Sequence, residues 1–398
     1  MNKFCVAISH AICISPNGAI SPCCSSQVLN IENNENIVDV LNGKTFKKIR
    51  KQHNLGEIPN ICKWCYATEA SGLISRRGLM NNATRDYYEE NLKEKKLKSY
   101  THMDISFGNT CNQKCVMCNS QFSSKWLSED VQLLNNKNFE KLEYTLDRTQ
   151  KGLGSPARTL GNWTISQDQL DQLISLVDEH TRIVEFKGGE PFLDKRFIPF
   201  VQRIIEKNAN TKIVITSNGS IISDELISFL NTIKRIDLGI SIDGTGDTYN
   251  LIRDYDFKKV EKNFHRLVEK LDKRHWLFLT YTTLKYNIDH FRRMYDWTGS
   301  ISKLYNRRIP MVFAQVVRNP KALHLGYADK QKIIEGIEQL KYIREDPADF
   351  ADWPLYKDRI DEQIKYIQQH IDLYEIFNQN LDMQKKYEKW FLSTRTEI

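Results

Sequence analysis

Three cysteines, Cys111, Cys115 and Cys118, carry the clearest chemical pattern in this 398-residue chain. The run Cys111-Asn-Gln-Lys-Cys115-Val-Met-Cys118 separates them by three residues and then two. That spacing lets one tight loop turn three thiolates toward a single centre. Three ligands are one short of the four that close a tetrahedral structural zinc site. On a 4Fe–4S cluster the same three leave one iron open to a substrate or cofactor. Spacing alone leaves two other arrangements standing: a zinc site that borrows a distant fourth ligand, and a group of buried thiols. Six further cysteines, Cys5, Cys13, Cys23, Cys24, Cys62 and Cys65, precede this loop. A chain of this length buries a large core without disulfides or structural metal, so its nine cysteines point to chemistry. In a reducing cytosol, clustered thiols do metal or redox work more often than they form disulfides.

The composition frames that chemistry. Hydrophobic residues make up 40% and charged residues 27%, which excludes a mostly disordered chain. The net charge of +7, from 57 Lys and Arg against 50 Asp and Glu, is modest and spread along the chain, and does not argue for nucleic acid. No run approaches the roughly 18 apolar residues that span a bilayer. Phe4–Ile14 is apolar enough to suggest the centre of a signal peptide, but it holds His10 and two cysteines, and no small-residue cleavage site follows. It runs instead into Ser15-Pro16-Asn17-Gly18, a turn between strand-like Ala11–Ile14 and Ala19–Ser21. The expected location is the cytoplasm.

The elements that must position the loop come next. Short β-branched runs at Met103–Phe107, Ile183–Lys187, Lys212–Ser217, Ile236–Ile242, Trp276–Thr283 and Ile309–Val317 predict strands. Amphipathic segments at Gln167–Glu179, Phe197–Asn208, Asp224–Ile233, Phe257–Leu271 and Ile288–Tyr305 predict helices, with Ser166 and Ser223 as N-caps. Strand and helix in alternation predict an α/β fold with a parallel sheet. The mixed-charge stretch Arg85–Lys98 reads as a solvated helix or linker and marks a domain boundary. The expected division is a cysteine-rich hairpin and helix module at 1–92, a βα domain at 100–327 with an insertion at about 131–163, and a helical C-terminal extension at 328–398.

A three-cysteine loop directly after the first strand of such a series resembles the signature of the radical S-adenosylmethionine (radical SAM) family. The resemblance implies a partial (βα)6 TIM-type barrel. One residue departs from the family pattern: the position before the last cysteine is usually aromatic, and here it is Met117, whose flexible thioether fills similar space. Lys187-Gly188-Gly189-Glu190-Pro191 follows the second strand, where the family carries a Gly-Gly-Glu-Pro element. Glycines allow close backbone approach, and the resemblance assigns Gly188, Gly189 and Glu190 to the methionine ammonium. Thr216-Ser217-Asn218-Gly219 and Ser241-Ile-Asp243-Gly244 end the third and fourth strands and resemble two further family elements. They place Ser217, Asn218 and Ser241 at the cofactor and Asp243 toward the substrate. Arg253 is the candidate partner of the methionine carboxylate, which a guanidinium grips with two hydrogen bonds. Lys285-Tyr286-Asn287 ends the fifth strand and faces the same mouth. All lie at the C-terminal edge of the sheet, where βα folds bind ligands.

The order of Cys5, Gly18, Cys23 and Cys62-Lys-Trp-Cys65 resembles the auxiliary-cluster module called twitch, a truncated SPASM domain. In the family it normally follows the barrel; here it precedes it. Ala70-Ser71-Gly72-Leu73-Ile74-Ser75-Arg76-Arg77 also resembles the stretch after the Cys-x-x-Cys pair. The resemblance implies Cys5, Cys23, Cys62 and Cys65 as ligands of a second 4Fe–4S cluster, with Cys24 an alternative to Cys23 because adjacent thiols of an extended chain point to opposite sides. Four cysteines equally suit a zinc ribbon.

Taken together the resemblance implies an enzyme that reductively cleaves S-adenosylmethionine to a 5′-deoxyadenosyl radical and abstracts a hydrogen atom from a peptide or small metabolite. An electron donor such as flavodoxin or ferredoxin would serve it, and no membrane is involved. The alternative is a zinc-stabilised binding protein without radical chemistry.

Overall fold

A computed structural model describes residues 4–26, 28–32, 34–70, 74–91, 99–135, 162–316, 324–346, 356–372 and 381–395. Most of the expected insertion at 131–163, the end of the charged stretch at 92–98 and Ser71-Gly72-Leu73 lie outside the described residues. The chain divides into two compact units. One comprises Met1–Thr110, Gly154–Ile215 and Thr232–Ile236; the other comprises Cys111–Leu153, Thr216–Asn231 and Asp237–Ile398.

The first unit opens on the expected hairpin. Strands β1 (Ala11–Ile14) and β2 (Ala19–Ser21) pair antiparallel. Gly18 supplies the positive φ of the turn (76°), and its N–H donates to Ser15 O at 2.8 Å. β3 (Leu29–Asn30) adds antiparallel to β2. On its other edge β1 runs parallel to β4 (His102–Ile105), β4 to β5 (Ile183–Phe186), and β5 to β6 (Lys212–Ser217). The hairpin therefore extends the parallel sheet, which the sequence did not reveal. Alternation along β4 sends Met103, Ile105 and Phe107 to one side. There the rings of Phe107, Phe186, Phe197 and Phe200 meet with centroids 5.3–6.3 Å apart. His102, Asp104 and Ser106 fall on the opposite side. Ser166 starts the helix Gln167–Ser175 through a capping box with Gln169.

In the second unit β7 (Ile236–Ser241), β8 (Trp276–Thr283) and β9 (Met311–Val316) pair in parallel. Ser223 caps the helix Asp224–Thr232, accepting from the Leu226 N–H at 3.1 Å. The helix Phe257–Lys270, capped by Asp256, buries Phe257, Val260, Phe264, Leu267 and Val268 along one face. Helix Phe291–Leu304 follows β8. A helix at Gly246–Arg253 was not expected; eight residues are too few to show a 3.6-residue period against background. Helices Lys330–Glu345, Tyr356–Asp372 and Leu381–Ser393 make the C-terminal part. The strand–helix succession from β4 to β9 is the α/β class and the partial (βα)6 TIM-type plan expected. Among the described residues no helix is long and apolar enough to cross a membrane.

Ile14 joins the hairpin to the first barrel-type strand: it is opposite Ile20 on one edge and Ile105 on the other, and is fully buried. Ile14→Ala is expected to lower unfolding stability by about 2–5 kcal/mol. Urea denaturation followed by circular dichroism checks this, and the hairpin and β4 should be lost in one transition.

Candidate active site and auxiliary cysteine cavity

The three-cysteine loop begins the second unit and is held mostly by backbone groups. The Val116 N–H donates to Ile252 O at 2.8 Å, and the Cys118 N–H to Cys115 O at 2.9 Å. The Trp126 indole donates to Cys115 O at 2.9 Å, the Ser123 hydroxyl to Gln113 O at 2.7 Å, and the Gln113 amide to the Tyr249 hydroxyl at 3.0 Å. Val116, Trp126, Ile252, Leu284 and Phe391 form the apolar bed, with Met117 and Cys118 packed against it. The C-terminal helix, where the sequence showed no motif, is part of that bed. Phe391 stacks on Trp126 with centroids 5.8 Å apart, and the Arg395 guanidinium donates to Lys114 O. The Lys114 ammonium donates to Glu129 at 2.7 Å and to Thr394 O at 2.6 Å.

Two donors reach the sulfurs. The Asn218 amide approaches Cys111 Sγ at 3.8 Å and also donates to Asn112 Oδ1 at 3.0 Å. The Arg253 guanidinium lies 3.5 Å from Cys115 Sγ. Burial pushes the Cys115 thiol up, and Arg253 beside it works in the other direction. Arg253 is itself held by Asp243, 2.5 Å away and fully buried. The second Asp243 oxygen accepts from the Thr282 N–H at 2.7 Å, and Asp243 O accepts from the Asn287 amide at 2.8 Å. The structure thus pairs Arg253 with both Asp243 and Cys115; the sequence suggested a methionine carboxylate for Arg253 and the substrate space for Asp243. Ser241 shares a hydrogen bond with the Thr280 hydroxyl at 3.0 Å. Ser217 accepts from the Gly219 N–H at 3.1 Å, and Ser220, which the sequence reading passed over, bonds Asn112 and Asn218.

The Gly-Gly-Glu-Pro turn belongs to the first unit. Gly188 and Gly189 both have positive φ (83° and 58°). A Cβ on Gly189 would stand 2.5 Å from Thr110 O and 2.8 Å from Gly108 O, and one on Gly188 would run into Pro16 and Ser106. Only glycine fits this approach of backbone to backbone. The Glu190 N–H donates to Thr110 O, the residue before Cys111 in the chain, at 2.8 Å. The Glu190 carboxylate is buried and accepts from the Phe192 N–H at 3.2 Å.

The amino-terminal cysteines of the same unit surround one cavity of about 400 Å³, measured to its open mouth. Cys5, Cys23, Cys62 and Cys65 all line it, with Arg76, Arg77 and Met80. Cys24 is exposed and absent from the lining, and Cys13 is buried in β1. Cys62 ends a 3-10 turn and Cys65 lies one helical turn on, so their spacing of three puts both thiols on one face. The segment around Cys5 is clamped from the helix Arg76–Asn91: Arg77 and Asn81 donate to Phe4 O at 2.8 and 2.9 Å, and Asn81 accepts from the Val6 N–H. Burial and the neighbouring thiols push Cys5 and Cys62 up to about 12, with Arg77 opposing this at Cys62. A four-thiolate cluster carries net negative charge, and two guanidinium groups on the lining suit it. Among the described residues no three His, Cys, Asp or Glu side chains converge on one metal-ion position; cubane ligands sit on separate irons and need no common point.

A further network went unforeseen. Lys187 meets Asp104 at 2.6 Å and Glu185 at 3.4 Å, and Glu185 also meets Arg76 at 2.9 Å and His102 at 3.4 Å. The signal was available: polar His102, Asp104 and Ser106 alternate with apolar residues along β4.

Residues 105–298 match the family model of the radical SAM superfamily, and residues 5–66 match SPASM, an iron–sulfur cluster-binding domain. The chain carries a radical SAM domain preceded by a SPASM domain. Members of the radical SAM superfamily are enzymes, and the two domains imply a 4Fe–4S cluster with S-adenosylmethionine and an auxiliary iron–sulfur cluster. No curated relative matches the sequence. Among solved structures the chain is similar to native anSMEcpe with bound AdoMet and Cp18Cys peptide (18% identity, 60% of this chain and 58% of that one, TM-score 0.39). It is also similar to Streptococcus suis SuiB bound to precursor peptide SuiA (15%, 75% and 59%, 0.39) and to the methyltransferase TsrM from Kitasatospora setae (14%, 50% and 39%, 0.33). The chain thus spans less than two thirds of the length of each.

Thiol accessibility follows from these placements. In the protein free of clusters, iodoacetamide near neutral pH should alkylate Cys24 first and Cys5, Cys62 and Cys115 slowly, as mapped by peptide mass. Phe391→Ala should cost about 3–5 kcal/mol of stability and speed alkylation of Cys115 while leaving Cys5 slow.

Proposed function

We propose that the chain is a radical SAM enzyme whose Cys111, Cys115 and Cys118 hold the S-adenosylmethionine-binding 4Fe–4S cluster, and whose Cys5, Cys23, Cys62 and Cys65 hold an auxiliary 4Fe–4S cluster. The observation that carries this reading is the pairing of a three-thiol loop, its sulfurs met by Asn218 and Arg253, with a separate cavity lined by four cysteines and two arginines. When bound, these groups supply reductive cleavage of the sulfonium to a 5′-deoxyadenosyl radical for hydrogen abstraction, together with a second redox centre.

The chain's own residues prepare the site. Arg253 favours the ionised form of Cys115, and Asp243 fixes the guanidinium so that it does not swing to solvent. Asn218 donates toward Cys111 and restrains Asn112 in the loop. Gly188 and Gly189 keep side chains away from the turn, which leaves backbone groups and the Glu190 carboxylate to bind the methionine ammonium. Ser217 and Ser241 offer hydroxyls to the cofactor's polar groups. At the auxiliary cavity Arg76 and Arg77 offset the charge of four thiolates, and Met80 keeps the lining apolar. The substrate is a peptide or small metabolite with an unactivated C–H bond, the electron donor a flavodoxin or ferredoxin, and the reducing cytoplasm the compartment that keeps the cysteines from pairing as disulfides.

Anaerobic purification and reconstitution test this. About eight irons per chain are expected from two cubanes, falling by about half when Cys111, Cys115 and Cys118 become alanine. Formation of 5′-deoxyadenosine under reduction should vanish in that variant. Bound zinc with no cofactor cleavage would overturn the proposal, and about four irons in the unaltered protein would remove its auxiliary part.

A further inference from the structure

We propose that the lysine face of the helix Lys44–Asn54 docks an acidic one-electron carrier protein, of the flavodoxin or ferredoxin kind, beside the four-cysteine cavity. This rests on the reading of that cavity as a redox centre. Lys44, Lys47, Lys48 and Lys51 recur at the three- and four-residue spacings that share one side of a helix. All four are exposed. The helix contains no carboxylate, and residues 44–63 hold six Lys and Arg against one Glu. Charge is thus gathered here more than the even spread read from the composition suggested. Among the described residues none of the four lysines has a carboxylate partner. Like charges at these spacings repel, so nothing within the fold repays the arrangement.

The other side of the same helix faces the cysteines. Phe46 and Ile49 are buried, and Ile49 packs in one apolar cluster with Cys5 and Met80, against which Cys23 and Cys62 also pack. At the helix end His53 accepts the Cys5 N–H at 2.9 Å. One helix, about 10–12 Å across with its side chains, therefore separates the lysines from the thiols. The chain leaving the helix exposes Leu55 (66%), and Trp64, between Cys62 and Cys65, is 60% exposed. A positive field with a few apolar contacts steers a transient acidic partner and releases it quickly. Basic charge with an exposed indole also suits single-stranded RNA; the position over a redox cavity favours the carrier. In the exchange no atom moves between the proteins. The substrate radical loses one electron and one proton, the proton to solvent and the electron, through the module, to the carrier, which is reduced by one electron.

Calorimetric titration of the full chain with purified flavodoxin and with a 2Fe–2S ferredoxin, at about 20 and about 200 mM salt, tests the proposal. At least one carrier should bind at low salt and weaken about tenfold or more at high salt. The variant K44E/K47E/K48E/K51E should lose about tenfold or more in affinity, with its circular dichroism and iron content unchanged. Reversing Lys258, Lys259 and Lys262 on the helix Phe257–Lys270 should leave affinity as it was. If the fourfold variant fails to fold, Lys47→Ala with Lys51→Ala should still weaken binding about threefold or more. Dithionite-driven 5′-deoxyadenosine formation should be equal in the unaltered and lysine variants. Its absence from both would remove the radical reading, while the binding data judge the docking face separately. No salt-dependent binding of either carrier, equal binding by the lysine variants, or tighter binding of a single-stranded RNA oligonucleotide through the same lysines would overturn it.

Discussion

Ionised sulfur buried in protein is costly unless a cation stands close to it, and both cysteine groups of this chain meet that constraint with arginine. At the loop, Arg253 touches Cys115 and is itself fixed by buried Asp243, so the positive charge is part of the fold and not a mobile surface group. At the amino-terminal cavity, Arg76 and Arg77 line the space that four thiols surround. Arg76 is tied to Glu185 on β5 and Arg77 to Glu69. In each case a carboxylate behind the guanidinium keeps it aimed. A lysine would deliver the charge but not the planar fork that engages sulfur and carboxylate together.

The remaining structure serves to keep these groups in place. The loop has little regular structure of its own, so its shape depends on neighbours: the carbonyl of Ile252, the indole of Trp126, and Phe391 and Arg395 from the far end of the chain. The Gly188-Gly189 turn approaches the backbone at Gly108 and Thr110 so closely that no side chain fits. The amino-terminal module is bound to the βα fold by strand pairing, β1 alongside β4, the strand that carries Asp104.

Much of this was legible in the sequence because it depends on local pattern. Cysteine spacing, the Asn-Gly turn after Pro16, the Ser166 capping box and the β-branched runs are each set within a few residues. The set Cys5, Cys23, Cys62 and Cys65 came instead from the resemblance to the twitch module, and only the spacing of Cys62 and Cys65, one helical turn apart, is local. What stayed hidden depends on long-range partners. Arg253 stood out as a cation after β7, but its pairing with Asp243 and Cys115 needs the helix Gly246–Arg253 to turn it back. Phe391 and Arg395 lie about 280 residues from the loop they brace, and no periodicity announces such a contact. The hairpin's parallel pairing with β4 is also invisible to alternation, since Ala11–Ile14 is buried throughout.

The most direct measurement is electron paramagnetic resonance of the reconstituted, reduced protein as S-adenosylmethionine is added. The account predicts two 4Fe–4S signals, of which one shifts with S-adenosylmethionine and is the one lost in Cys115→Ala, while the other persists unmoved and is lost in Cys62→Ala. Signals indifferent to S-adenosylmethionine, or a single signal that survives loss of the three loop cysteines, would contradict it.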